Sequence, residues 1–497
     1  MPSNDDTSSR AAIADSYEAV AYEAKPNPVS HPDHLAAIAA MFGLEAPDAG
    51  HARVLEVGCS DGANLLPVAA ALPDSRCVGC DLAPTAIRLA REATAALGLG
   101  NVEWFACDFR ELPAARGPFD YIIAHGVYSW VPPPVRDALF GLAARRLAPN
   151  GVLFVSYNVF PGGHTRRAVS EILRHHTAKL PALRDKLAAA RELAALLAEA
   201  GTTHDAADAA IQVELRRTAG MTDSELAHDV IADPNDSVYF HEFAAHAGRH
   251  GLAYLAEAAP VMMGPAGLGA NVRAYLSRLD RLAREQYVDF ARLRRFRQSL
   301  LCRADAPTDF VLKPSRMAPL FAIASTPLVR AANEGRLPDG TGDPHVRLRR
   351  SIFERLVAAA PAAVPVAELA RGTGAPVGVG STPSVEAALL EAWISGFVQL
   401  RTKPLPATPT LSARPEVFAL ARWQAGTREG VTNLCHETIR FTDPVARTLL
   451  TLLDGTRDRD GLISALATDG ALGDASAVAM RVDDTLASFA RFGLLIR

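Results

Sequence analysis

From residue 53 to residue 157 short apolar runs alternate with amphipathic stretches, and this rhythm constrains the fold more than any other feature of the chain. The runs at 53–58, 76–81, 101–107, 119–125 and 151–157 read as strands, and those at 63–72, 84–97 and 133–147 as helices. Strands joined by helices lie parallel, with helices on both faces, so the expected fold class is α/β with a Rossmann-like sheet. A helix over His34 to Phe42 leads into the first strand, and residues 1–30 form an irregular arm or lid. Helical insertions are expected at about 165–238 and 260–295, around a helix at 239–251 and a strand at Leu252 to Glu257. Phe296 to Cys302 completes a first domain over 31–305.

Beyond 305 the βα alternation is gone. Asp309 to Leu312 reads as a connecting strand, Val346 to Ala359 and Ser384 to Ile394 as helices, and Gly396 to Arg401 as a strand. Helices closed by a strand pair suggest an α+β, winged-helix-like domain over 306–410. A second, diverged one over 411–497 ends in Gly493-Leu494-Leu495-Ile496.

The first strand runs into Glu56, Val57 and the turn Gly58-Cys59-Ser60-Asp61-Gly62-Ala63-Asn64. A dinucleotide site needs G-x-G-x-x-G/A with helix amides holding a pyrophosphate. Here the middle glycine is Ser60, and Asp61 stands where phosphate would approach. Glu56 suits a cationic methionine end. Asp81, closing the second strand, suits ribose hydroxyls, and Asp108, after the third, suits an adenine amino group. Three carboxylates without a basic anchor fit a ligand that lacks phosphates. The ordered set indicates a class I methyltransferase that uses S-adenosylmethionine and releases S-adenosylhomocysteine. Leu82, Phe109 and Gly126 join the expected cofactor contacts, with Tyr17 and Tyr22 closing from the arm.

Composition excludes several classes. The chain of 497 residues is 49% hydrophobic and 21% charged, with a formal net charge of −4. Such a balance disfavours general nucleic-acid or anionic-membrane binding. The polar start and the lack of a long apolar run predict no signal peptide and no membrane insertion, hence a cytoplasmic protein. Six cysteines form no disulfide framework. No metal site is expected: Cys77 and Cys80 point to opposite faces of a strand, and the pairs His175-His176 and Cys435-His436 read as surface or core residues. The arginines at 292–297 read as a solvated helix face, with an acidic partner surface as the sharper alternative.

The sequence resembles bacterial class I methyltransferases with a methyltransferase regulatory domain, typified by rickettsial protein-lysine methyltransferases. The likeness is carried by Ser16-Tyr17-Glu18, Tyr22-Glu23, LEVGCSDGANLLP at 55–67, FDYIIAHGVYSWVP at 119–132, SYN at 156–158, PGGH at 161–164, YFHEF at 239–243, GLAYLAEA at 251–258 and RRFRQSLLCR at 294–303. The resemblance implies a catalytic domain, a helical middle part, a winged-helix-like C-terminal part and a protein lysine as acceptor. Two alternatives stay open: a small-molecule or natural-product N- or O-methyltransferase, and a non-catalytic, cofactor-responsive scaffold. A homodimer is compatible with the sequence.

An acceptor lysine, of pKa about 10.4, needs on the order of 4 kcal/mol to lose its proton at neutral pH. His125, in the loop after the fourth strand, is the candidate base or methionine-end contact. Tyr128 and Trp130 from that loop, Tyr157 and Asn158 at the end of the fifth strand, and Tyr239 with His241 are the candidate acceptor-channel residues.

Overall fold

The computed structural model describes residues 18–20, 22–199, 205–265, 267–337, 343–372, 384–467 and 475–496; Tyr17 lies outside them. Five parallel strands, β1 (Arg53–Val57), β2 (Arg76–Asp81), β3 (Val102–Ala106), β4 (Phe119–Ala124) and β5 (Leu147–Val159), form most of an eight-stranded sheet. A two-residue strand, β6 (Ser237–Val238), pairs parallel with the end of β5. The sheet closes with β7 (Leu252–Glu257) and β8 (Phe296–Arg303), in the order β3-β2-β1-β4-β5-β8-β7 with β8 antiparallel to both neighbours. Strand order therefore reverses between β1 and β4, and at such a switch point an open α/β sheet leaves a ligand crevice at its carboxyl edge.

Each βα unit follows from its local sequence. Pro84 and Pro133 occupy the first turns of the helices Pro84–Leu97 and Pro133–Arg146, where a missing N–H costs nothing, and Gly98 ends the former at φ 64°. The insertion after β5 is a helical cap of Gly163–Thr177, Leu183–Glu199 and Ala206–Ala219, with its own core around Val169, Leu173, Leu187 and Leu215.

The helical insertion expected at about 260–295 holds two separate helices, Ala270–Leu276 and Arg281–Arg292, and Leu293 ends the second at φ 49°. The arginine cluster is therefore not a solvated helix face. Arg294 and Arg297 are buried, and Arg297 meets Asp289, Glu257 and Glu285 at 2.8, 2.7 and 3.1 Å. Asp309 to Leu312 is not a strand; Asp309 instead pairs with Arg316 at 2.6 Å and Lys313 at 2.7 Å.

Two α+β modules follow. The first carries the antiparallel sheet β10-β9-β11, made of β9 (Phe321–Ala324), β10 (Val364–Pro365) and β11 (Val398–Arg401). No packing break separates it from the main sheet: Leu328, Ile352, Trp393 and Leu400 share one core with Leu35, Val54 and Phe154. The second packs the helices Ala419–Thr427, Pro444–Leu452, Arg459–Ala467 and Ala475–Arg491 against the hairpin of β12 (Gly430–Thr432) and β13 (Thr438–Arg440). Its last residues make a single bridge, Val417 to Leu495, and not a strand.

Candidate active site

A cavity of about 450 Å3 opens at the carboxyl edge of β1, β2, β4 and β5. A second, of about 320 Å3, shares Tyr22, Gly58, Ser60, His125 and Asp229 with it and reaches Glu56 and Asn64. Together they form one cleft over the switch point.

The turn after β1 is shaped by backbone conformation. Gly58 and Gly62 hold φ 70° and 77°. A Cβ at Gly58 would lie 2.8 Å from Val127 Cγ2, and one at Gly62 2.6 Å from the Trp104 ring. Ser60, in place of a glycine, also takes a positive φ of 49°, at a cost of about 1–2 kcal/mol for a residue with a Cβ. Asp81 offsets that cost: its Oδ2 accepts from Ser60 N–H at 2.8 Å and its Oδ1 from Ala83 N–H at 2.9 Å. Asp61 and Gly62 line neither cavity; Asp61 turns outward to Arg428 at 2.9 Å, and Gly62 packs on Trp104.

Glu56 is a buried acid of the cleft. Burial pushes its carboxyl up to about 8. Its Oε1 accepts from Asn64 Nδ2 at 2.7 Å, while Oε2 is buried and has no hydrogen-bond partner among the described residues. A buried, unmatched carboxylate oxygen beside the turn fits a cationic amino group, such as the methionine end of S-adenosylmethionine. Leu82, Phe109 and Gly126 line the larger cavity. Asp108 lines it too, but Oδ1 accepts from Arg110 N and Nε and Oδ2 from Arg110 Nη2, so the pair is tied along the cleft wall.

His125 sits at the carboxyl end of β4, its Nδ1 2.9 Å from Ser156 Oγ, which also accepts from Gly126 N–H at 2.8 Å. Burial lowers its pKa to about 4. A neutral ring this weakly basic orients ligands and is a poor acceptor for an ammonium proton.

The aromatic candidates divide. Trp130 lines the cleft, and its Nε1 donates to His228 O at 2.9 Å. Asn158 lines it as well, with Oδ1 buried and unpartnered among the described residues. Tyr157 points the other way, because adjacent strand residues face opposite sides of a sheet. Fully buried, it stacks on Phe243 at 3.8 Å and reaches Ser299 Oγ at 3.0 Å. Tyr128 is equally interior, with its hydroxyl 3.0 Å from His246 Nδ1. Tyr239 and His241 also lie away from the cleft: they stack on each other at the start of the helix Phe240–Arg249, where His241 meets Gln286. We therefore expect Tyr128→Phe and Tyr157→Phe each to cost about 1 kcal/mol of stability and to leave cofactor affinity within about twofold, read by calorimetry. A tenfold affinity loss would return these rings to the site. Behind Tyr128, Asp137 accepts from the ring nitrogens of His246 and His250 at 3.3 and 2.8 Å.

Sequence reasoning missed the residues that the helical insertion delivers. Ala227–Ile231 forms a π turn, closed by Ala232 N–H to Ala227 O at 2.9 Å, and π turns gather at functional sites. It presents His228 and Asp229 to the cleft. Tyr22 of the arm lies edge-on to His228, 5.6 Å between ring centres. Nothing in the local sequence marks 227–231, since its position depends on how the cap folds back. Ser156 was within reach, as part of the SYN motif.

Three family models match the chain: a methyltransferase domain at 54–151, a "Predicted methyltransferase regulatory domain" at 222–303, and a "PKMT, C-terminal winged helix domain" at 413–492. An uncharacterised Rickettsia prowazekii protein, RP028, is 31% identical over 230 residues, which is 46% of this chain and 92% of that protein. The chain belongs to the class I methyltransferases that carry this regulatory domain. A second R. prowazekii protein, RP789, is 37% identical over 292 residues; the match spans 58% of this chain and only about half, 53%, of that relative. In fold the methyltransferase is similar to PKMT2 from Rickettsia typhi, solved in complex with AdoHcy: TM-score 0.82 and 24% identity, covering 96% of this chain and all of that one. Among the described residues no helix of the methyltransferase is long and apolar enough to cross a membrane.

Proposed function

We propose that the protein transfers methyl groups from S-adenosylmethionine to lysine side-chain amines of a protein substrate. The observation that carries this reading is Asp229, whose half-buried carboxylate faces the cleft with no hydrogen bond or ion pair among the described residues. A carboxylate held in this way among Tyr22, Trp130, His228 and Phe296 suits capture of an ammonium, with aromatic rings to desolvate it. The resemblance to rickettsial protein-lysine methyltransferases, and the likeness to PKMT2 in particular, support the same acceptor.

Glu56, with Asn64 behind it, would hold the amino group of the cofactor's methionine end, Asp81 its ribose, and Leu82 and Phe109 its adenine. S-adenosylmethionine supplies a methyl group made electrophilic by its sulfonium. The chain's own work is then to orient the amine, exclude water and remove one proton. Burial raises the Asp229 carboxyl, and the same surroundings lower an amine's pKa, so the gap between donor and acceptor narrows. The N–H proton would pass to Asp229 Oδ, and the lone pair left on nitrogen would form the new N–C bond as the methyl–sulfur bond breaks, its electron pair leaving on sulfur to give S-adenosylhomocysteine.

The test is incubation of labelled S-adenosylmethionine and enzyme with a proteome, followed by amino-acid analysis. We expect label in methyl-lysine, and Asp229→Asn to slow labelling at least tenfold with cofactor affinity within about threefold. Label confined to small molecules, or an Asp229→Asn variant as fast as the parent, would overturn the reading. One observation favours a small acid as acceptor: Arg166 lines the same cavity, its buried Nε lacks a hydrogen-bond partner among the described residues, and Glu214 stands 3.6 Å away. Labelled esters of small carboxylic acids would identify that alternative.

A further inference from the structure

The hairpin β12–β13 of the last module does not end in solvent. At its turn His436 takes φ 66°, in the left-handed region that residues with a Cβ adopt only when their surroundings compel it. Its ring is buried, edge-on to His31 at 5.3 Å, and its Nε2 lies 2.8 Å from Asn64 Oδ1. Asn64 is the residue that grips Glu56.

Hydrogen-bond logic fixes the direction of this chain of contacts. The backbone N–H of Asn27 lies 2.8 Å from the same Asn64 oxygen and can only donate, so Oδ1 must face it. The amide NH2 is thereby turned to Glu56 Oε1 at 2.7 Å and to Ser30 Oγ at 3.1 Å. His436 must then donate from Nε2. A second contact holds the same loop from outside, Arg428 to Asp61 at 2.9 Å, and the helix Ala419–Thr427 that precedes it packs on Leu65–Ala71 and Pro84–Leu97.

We propose that the C-terminal module completes the cofactor site, with His436 as a positioning residue that sets the Asn64 amide and through it the Glu56 carboxylate. The proposal rests on Glu56 serving S-adenosylmethionine, as argued above, and gives the C-terminal third a task that a separate appendage would not have. A histidine at this point needs both the unusual backbone and the donor nitrogen, and two substitutions in the full-length protein separate those needs. His436→Gly keeps the backbone and removes the donor. His436→Gln restores a donor at about the reach of Nε2.

Calorimetric titration with S-adenosylmethionine is expected to show about tenfold weaker binding for His436→Gly and recovery to within about threefold for His436→Gln. Val482→Ala, a cavity in the core of the same module away from the loop, is expected to lower the unfolding temperature without changing affinity. Affinity that follows unfolding temperature across all three variants would overturn the proposal, and so would wild-type affinity in His436→Gly or no recovery in His436→Gln. Failure of the unsubstituted protein to bind would strike the cofactor reading itself.

Discussion

Arg297→Met is expected to cost about 3–5 kcal/mol of stability, measured by denaturant unfolding of the two proteins side by side. The guanidinium is fully buried, with the Phe240 ring 4.0 Å away, and satisfies Asp289 through Nε, Glu257 through Nη1 and Glu285 through Nη2. Methionine fills much of the volume and leaves the acids facing each other, with Arg294 still 3.3 Å from Asp289 and 3.7 Å from Glu257.

The pH dependence follows. Burial pushes Glu285 up to about 7 even with Arg297 present. Its native form therefore holds a proton that the unfolded chain releases, and its contribution falls as pH rises through that range. Arg297 lowers the pKa of all three carboxylates, so without it each titrates higher and the deficit of the variant is expected to shrink as pH is lowered from 8 to 6. A deficit below about 1 kcal/mol, or one that grows on acidification, would show that the cluster is not held by Arg297.

Asp81→Ala is expected to weaken S-adenosylmethionine binding at least a hundredfold. Two effects combine. On the proposed reading the ribose loses its carboxylate, and Ser60 N–H loses the acceptor that holds the serine in its left-handed conformation. Two charge-assisted hydrogen bonds at about 1.5–3 kcal/mol each are enough for a change of that size. Asp81→Asn keeps one oxygen and separates the two parts: calorimetry should place it between the parent and alanine proteins. Unchanged affinity for the alanine variant would remove Asp81 from the site.

The parallel sheet and its turn were legible because their signals are local. An apolar run is a strand over its own few residues, and Glu56, Gly58, Ser60 and Asp81 follow one another within two βα units. The aromatic candidates show where local reading stops. Tyr157 and Asn158 are neighbours in sequence, yet only Asn158 reaches the cleft, and which neighbour faces the ligand depends on the sheet's packing. The arginines at 292–297 had the composition of a solvated surface, and only the return of β8 beside β7 shows that two of them are enclosed with acids.

By itself the sequence determined the alternation of strands and helices over 53–157, the Rossmann-like class and the class of cofactor. Each depends on residues close along the chain, where backbone preference and hydrophobic period act. Tertiary structure alone decided that Asp229, more than a hundred and fifty residues past the turn, would face the cleft, and that His436 would reach Asn64 across 372 positions. Contacts of that span arise when large apolar faces are buried together, and burial specifies a face well before any one pair of polar atoms on it.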